Sequence, residues 1–225
     1  KIPCYNFIKN IFDKAYSTAD QLIVLGRDMK KVLEAKTMKY NPKLKIQIIE
    51  NWADTETITP QPFPQGNIKV EYAGNIGRLQ CLNHFMDSLP EGIEFHIYGT
   101  GAMEDCLKKR KQPNVYFHGA YYRSQQNEIL GNCHFALVTL QQGTYGLGVP
   151  SKTYNILASG RPIIFIGPKD SEIELVVKEN GIGYVGLPEK WDDIASIQEM
   201  GHRARHLAEV KYSKEIILRR FATIL

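Results

Sequence analysis

Apolar positions along this chain follow two periods that take turns. From residue 68 onward, short runs rich in apolar residues recur. They are Ile68–Ala73, Ile93–Tyr98, Val115–His118, Phe135–Val138, Ile163–Ile166 and Gly183–Val185. Between them lie stretches with apolar residues three and four apart: Leu79–Leu89, Ala102–Lys109, Gln125–Leu130, Pro150–Gly160 and Glu172–Glu179. Runs of the first kind suit strands buried on both faces, and those of the second suit amphipathic helices. Two further helices, around Met200–Glu209 and over Lys214–Ile224, close the chain. The alternation predicts an α/β fold, a Rossmann-like parallel sheet with helices on both faces. Such sheets bind ligands beyond the carboxyl ends of their strands.

The first sixty residues carry a shorter version of the pattern. Phe7, Ile8, Ile11, Phe12 and Ala15 share one face of a helix ending at Tyr16. Gln21–Leu25 and Lys45–Ile49 read as strands, with a helix from Arg27 to about Ala35 between them. Thr59-Pro60-Gln61-Pro62-Phe63-Pro64-Gln65-Gly66 breaks every regular pattern and reads as a linker. The expected division is therefore residues 1–60 as a partial second α/β domain, 61–66 as linker and 67–210 as the main domain. Residues 211–225 are then a terminal helix that packs back on the N-terminal part.

Composition narrows the setting. The chain has 225 residues and a formal net charge of +4, which suits an anionic small ligand or membrane surface better than nucleic acid. No apolar run approaches the ~20 residues of a membrane span. Cys4, Cys81, Cys106 and Cys133 have neither disulfide nor metal spacing, as expected in a reducing cytoplasm. The start at Lys1, without a signal peptide, reads as a fragment.

Candidate chemistry concentrates at the predicted carboxyl ends of strands. The segment Gly148-Val149-Pro150-Ser151-Lys152-Thr153-Tyr154 opens a helix on a proline, which costs nothing at a first turn. Ser151 and Lys152 then stand where free N–H groups and the helix dipole favour an anion. Gly160 suits a left-handed cap at the other end. Gly74-Asn75-Ile76-Gly77-Arg78 follows the first strand of the main domain. Its glycines admit close backbone approach, and Arg78 adds charge, although such turns also serve purely structural ends. Gly99-Thr100-Gly101 lacks the third glycine and the later acidic residue of a dinucleotide site, which argues against a nicotinamide cofactor. Gly119-Ala120-Tyr121-Tyr122 could flank a flat ring or merely cap the sheet edge. His202 and His206 stand four apart, but no third metal ligand is placed with them, so they read as a solvent-facing pair. Arg203, Arg205, Lys211, Lys214, Arg219 and Arg220 form a solvated face or an anionic-membrane surface.

Three segments together resemble a known family: Tyr72–Arg78, His96–Gly101, and Val149–Tyr154 running on to Gly160-Arg161-Pro162. In order and spacing they are similar to the donor-binding half of GT-B glycosyltransferases of family 4, in particular bacterial enzymes that build surface polysaccharides. The likeness spans about residues 15–225. Residues 20–25 and 48–54 resemble the end of the family's acceptor-binding domain. The resemblance implies a retaining, metal-independent transfer of sugar from a nucleotide-diphospho-sugar, with no cofactor, to a saccharide or lipid-linked acceptor at the cytoplasmic membrane face. It puts the donor diphosphate at Gly74, Asn75, Gly77, Arg78, Ser151 and Lys152, and the nucleoside at Gly99, Ala120, Tyr121 and Asn155. The sugar falls at Gly146, Leu147 and Gly148. Many relatives carry two glutamates eight residues apart here. This chain has Leu147 and Asn155 instead, and Gln80 stands near the family's lysine. No catalytic residue is assigned. A nucleotide-sugar 2-epimerase of the same fold and a non-catalytic nucleotide-sugar-binding protein stand as alternatives.

Overall fold

The computed structural model describes residues 4–224. Two parallel sheets form. The smaller joins β1 (Gln21–Val24) to β2 (Lys45–Ile48), flanked by α1 (Tyr5–Tyr16) and α2 (Arg27–Thr37). The larger has six strands: β3 (Lys69–Ala73), β4 (Glu94–Tyr98), β5 (Val115–Gly119), β6 (Phe135–Thr139), β7 (Ile163–Ile166) and β8 (Gly183–Val185). Their spatial order is β5-β4-β3-β6-β7-β8, all parallel, so the order reverses between β3 and β6.

Helices α3 (Leu82–Asp87), α4 (Glu104–Lys108), α5 (Gln126–Gly131), α6 (Lys152–Ala158), α7 (Glu172–Asn180) and α8 (Ile194–Lys211) connect and cover these strands. Alternate residues of the central strands feed two cores. Ala136, Val138, Ile163 and Phe165 pack on one face, and Val70, Tyr72, Phe135, Leu137 and Ile164 on the other. Every residue of β6 is buried, as expected of a strand covered on both sides.

The last helix, α9 (Lys214–Ala222), lies against the small sheet. Arg220 bonds the Glu50 carboxylate at 2.6 Å and the Ile48 carbonyl at 2.7 Å. The segment before β3 has no regular structure and is held by Arg161. That guanidinium is fully buried and donates to the carbonyls of Gln61, Pro62, Leu130 and Gly131. The Phe63 ring stacks on it at 4.2 Å.

Two expectations need correction. The helix expected over Leu79–Leu89 is broken. A 3-10 turn at Arg78–Gln80 ends on Cys81 in the left-handed region (φ 45°), and α3 starts only afterwards. The glycine turn therefore does not feed directly into an α-helix. The helix expected around Met200 starts a turn and a half earlier, where Asp193 caps it through the Ser196 N–H at 3.1 Å. Of the basic C-terminal residues, Arg203, Lys211, Lys214 and Arg219 are exposed and Arg205 and Arg220 half-buried. Arg205 bonds the carbonyls of Thr55, Ile58 and Ala158, Arg203 bonds Gly181, and Arg220 bonds Glu50. Among the described residues no helix is long and apolar enough to cross a membrane.

Candidate donor site

The start of α6 and the glycine turn after β3 meet at the carboxyl end of the sheet, where the strand order reverses. Lys152 makes the junction. Its ammonium stands 3.4 Å from the centroid of the Tyr72 ring and 3.9 Å from where a Cβ on Gly74 would lie. The nitrogen is shut off from solvent and has no hydrogen-bond partner, although the rest of the side chain is partly exposed. Burial therefore pulls its pKa down from 10.5 to about 7, opposed by the charge of Glu71. Glu71 is itself buried on β3, and burial raises its pKa from 4.5 to about 7, against the pull of Lys152. The buried Cys133 thiol donates to its Oε2 at 3.7 Å.

The expected diphosphate residues divide. The N–H groups of Ser151 and Lys152, and those of Asn75 and Gly77, have no acceptor among the described residues. Arg78 is exposed beside them. The Gly74 N–H, by contrast, is spent on the Tyr98 carbonyl at 2.9 Å and cannot serve a ligand as expected. Gly99 is likewise a packing residue. Its N–H donates to Gly119 at 2.7 Å, and at φ 125° any Cβ would overlap the Gly74 carbonyl. The two glycine turns are thus pressed together.

Asn155 spends both ends of its amide. Its Oδ1 accepts the Asp54 N–H at 3.2 Å, and its Nδ2 donates to Gln126 at 3.2 Å. This tie brings the N-terminal half to the site. Asn51, Trp52, Asp54, Arg123, Gln126, Ser151, Lys152 and Asn155 line a cavity of about 310 Å³. Ala120 is exposed and Tyr121 half-buried, its ring edge-on to Tyr98 at 6.5 Å, while Tyr122 turns outward. Gly146, Leu147 and Gly148 form the loop between β6 and α6, with Leu147 71 % exposed at its tip.

Arg123 and Gln126 carry no motif; Trp52, Asp54 and Tyr72 lie within the family-like segments but, like Glu71, are not assigned to the site by them. Glu71 had a signal: it stands between the apolar Val70 and Tyr72 in the middle of a strand expected to be buried. A larger groove of about 800 Å³ runs along Pro60–Gly66 and α8. It borders Gly66, His134 and Gly160, each preceding a strand, so it opens at the amino end of the sheet, away from the cavity above. His202 and His206 border that groove. Among the described residues no group of three or more His, Cys, Asp or Glu could hold a metal ion.

This architecture is the Rossmann-like domain of the GT-B glycosyltransferases. Three solved structures share it: S. aureus TarM bound to UDP, Anabaena HepE bound to UDP and glucose, and Thermosynechococcus elongatus sucrose-phosphate synthase. Their TM-scores are 0.71, 0.73 and 0.76, and their identities 19%, 12% and 14%. The matches cover 96%, 98% and 96% of this chain and 46%, 67% and 60% of theirs. No protein-family model matches. A probable glycosyltransferase, WbjE of Pseudomonas aeruginosa, is 31% identical over 245 residues, covering 97% of this chain. The chain spans 60% of that relative's length. The chain is thus similar in sequence to a probable glycosyltransferase and carries the GT-B fold.

Proposed function

We propose that this chain is the donor-binding half, with the end of the acceptor-binding half, of a retaining glycosyltransferase. It takes a nucleotide-diphospho-sugar and passes the sugar to a saccharide acceptor. The acceptor is lipid-linked, at the cytoplasmic membrane face, in surface polysaccharide synthesis. The observation that carries this reading is the meeting of Lys152 with the Gly74 turn. A buried ammonium without a partner is costly, and an anion at its side relieves that cost. The N–H groups of Asn75, Gly77, Ser151 and Lys152, on the two turns that Lys152 joins, have no acceptor among the described residues.

The chemistry follows from the charge that must be met. Breaking the bond between the sugar and the β-phosphate leaves a nucleoside diphosphate with growing negative charge. Preformed donors that strengthen as this charge grows lower the barrier. Lys152, Ser151 and Arg78 are the side chains in reach of that role, and the transfer is proposed to need no metal. Tyr121 and Ala120 border the nucleoside, and Gly146–Gly148 the sugar. The wild-type chain, titrated calorimetrically with UDP, GDP and their sugars, is expected to bind at least one. Binding of none overturns the reading.

A further inference from the structure

The start of α2 crosses from the N-terminal half to the loop that follows β6. Asp28 is buried there. Its Oδ1 accepts the Met29 N–H at 2.8 Å, and its Oδ2 accepts the Gly146 N–H at 3.2 Å. Gly146 sits at φ 72°, and a Cβ on it would press on Val32 and the Asp28 carbonyl. The neighbouring residues dock just as closely. The backbone N–H and the guanidinium of Arg27 bond the buried carboxylate of Glu172 at 2.7, 2.9 and 3.1 Å. Gly26 abuts Glu172 with no room for a Cβ. Three consecutive residues thus grip the segments that follow β6 and β7, both at the carboxyl end of the sheet.

The same loop has a second anchor. Its Gln141 N–H donates to the Leu79 carbonyl at 2.8 Å, in the 3-10 turn that follows Gly77. The loop therefore runs from the glycine turn at one side to α2 at the other, and Leu147 stands at its tip. Gly143 lies between these anchors and Gly148 just beyond the second, and glycines leave the backbone free to adopt many conformations. A loop ordered before its ligand arrives does not lose that freedom on binding.

We propose that Asp28 is a positioning residue for the sugar end of the donor site: by accepting the Gly146 N–H it fixes the Gly146–Gly148 backbone against which the transferred sugar lies. The inference rests on the nucleotide-sugar reading above. It assigns to the N-terminal half a part in reading the donor sugar. A nucleoside diphosphate without sugar does not call on this loop, which separates Asp28 from the residues that hold the diphosphate.

Hydrogen exchange over residues 141–151, and calorimetry with UDP and UDP-glucose as probes, test this on the wild-type chain, Asp28→Ala and Asp28→Asn. In Asp28→Ala, exchange within 144–148 is expected to rise about tenfold as the anchor is lost. UDP affinity should stay within about twofold, while the advantage of UDP-glucose over UDP falls by about fivefold or more. Asparagine keeps one acceptor oxygen for the two N–H groups that the carboxylate serves and should restore part of both effects. Unchanged exchange, or parallel loss of UDP and UDP-glucose, overturns the proposal. If wild type binds UDP and UDP-glucose equally, GDP against GDP-mannose is the second pair, and equality there too overturns the sugar role. If wild type binds no nucleotide, the nucleotide-sugar reading fails, and the exchange comparison still decides whether Asp28 holds the loop.

Discussion

The two sheets were read from the same kind of sequence pattern, yet they end in different states. In the six-stranded sheet the pattern is satisfied: β6 is buried along its whole length, and both faces carry closed cores. In the two-stranded sheet only Val24 of β1 and Ile46 of β2 are buried, and Ile23 faces outward. Helix α1 goes further, leaving Tyr5, Phe7, Ile8, Ile11 and Phe12 exposed while burying Asp13, which Lys9 pairs. An apolar face predicts a helix, but not that something within reach will cover it. The less complete half nonetheless supplies Asp28, Trp52 and Asp54 to the candidate site. Its value to the molecule lies in what it touches across the boundary.

The comparison says stability resides in the larger sheet, and Arg161 tests that most severely. Arg161→Met should cost about 3–5 kcal/mol, because it removes the buried guanidinium that holds four carbonyls and releases the linker from α5. Urea unfolding measures it, and a loss under about 1 kcal/mol would place the stabilising weight elsewhere. Gly99→Ala comes next, at about 2–4 kcal/mol, because a Cβ meets the Gly74 backbone and the dihedral is unfavourable. Nucleotide binding should fall with it, since the two glycine turns separate. A variant that unfolds normally yet binds UDP as wild type does would mean the turns are independent.

These two residues also mark what the sequence disclosed. Parallel strands, their buried character and the turns at their ends were legible, because period and glycine placement are local properties. That the Gly99 turn packs on the Gly74 turn was not, since it depends on the register of β3 against β4. The pairing of Lys152 with Tyr72 was hidden in the same way. The lysine was expected to face an anion in an open cleft, but the fold tucks its ammonium under the turn. Asn155 looked like a hydrogen-bonding group for a ribose. Only the approach of Asp54, a hundred residues earlier, reveals that its carbonyl is taken.

Lys152 sharpens the comparison by setting function against stability within the larger domain. Lys152→Met should weaken UDP binding by about 1.5–3 kcal/mol and leave the fold as stable or more so, since an orphaned buried charge is removed. The pH dependence follows with a definite sign. Between about 7 and 10.5 the unfolded chain holds a proton on Lys152 that the folded chain lacks, so its contribution to stability grows as pH rises. Glu71 acts oppositely. From 4.5 to about 7 the folded carboxyl keeps a proton the unfolded one has lost, so its contribution falls as pH rises. The pair alone therefore gives a minimum near neutrality, which the double variant Glu71→Gln with Lys152→Met should flatten in urea unfolding across pH 5–9. UDP affinity should decline as pH rises through about 7 and lose that decline in Lys152→Met.

The smallest expected effect is on α1, and it bears on whether exposed apolar surface and buried apolar surface can be told apart by energy within one half of the molecule. Phe7 and Phe12 are 68% and 59% exposed. Replacing both by serine removes little buried area, so stability should change by no more than about 0.5 kcal/mol. Val24→Ala removes two methyls from a residue closed off between the small sheet and its helices, and should cost about 1–2 kcal/mol. If the two phenylalanines proved the more costly, their face would be covered in solution by a second copy, which dilution would reverse. If Val24→Ala were neutral, the small sheet would be held by its contacts to α9 and α7 rather than by a core of its own. Unfolding curves at two protein concentrations distinguish these outcomes, because only the covered face makes the midpoint depend on concentration.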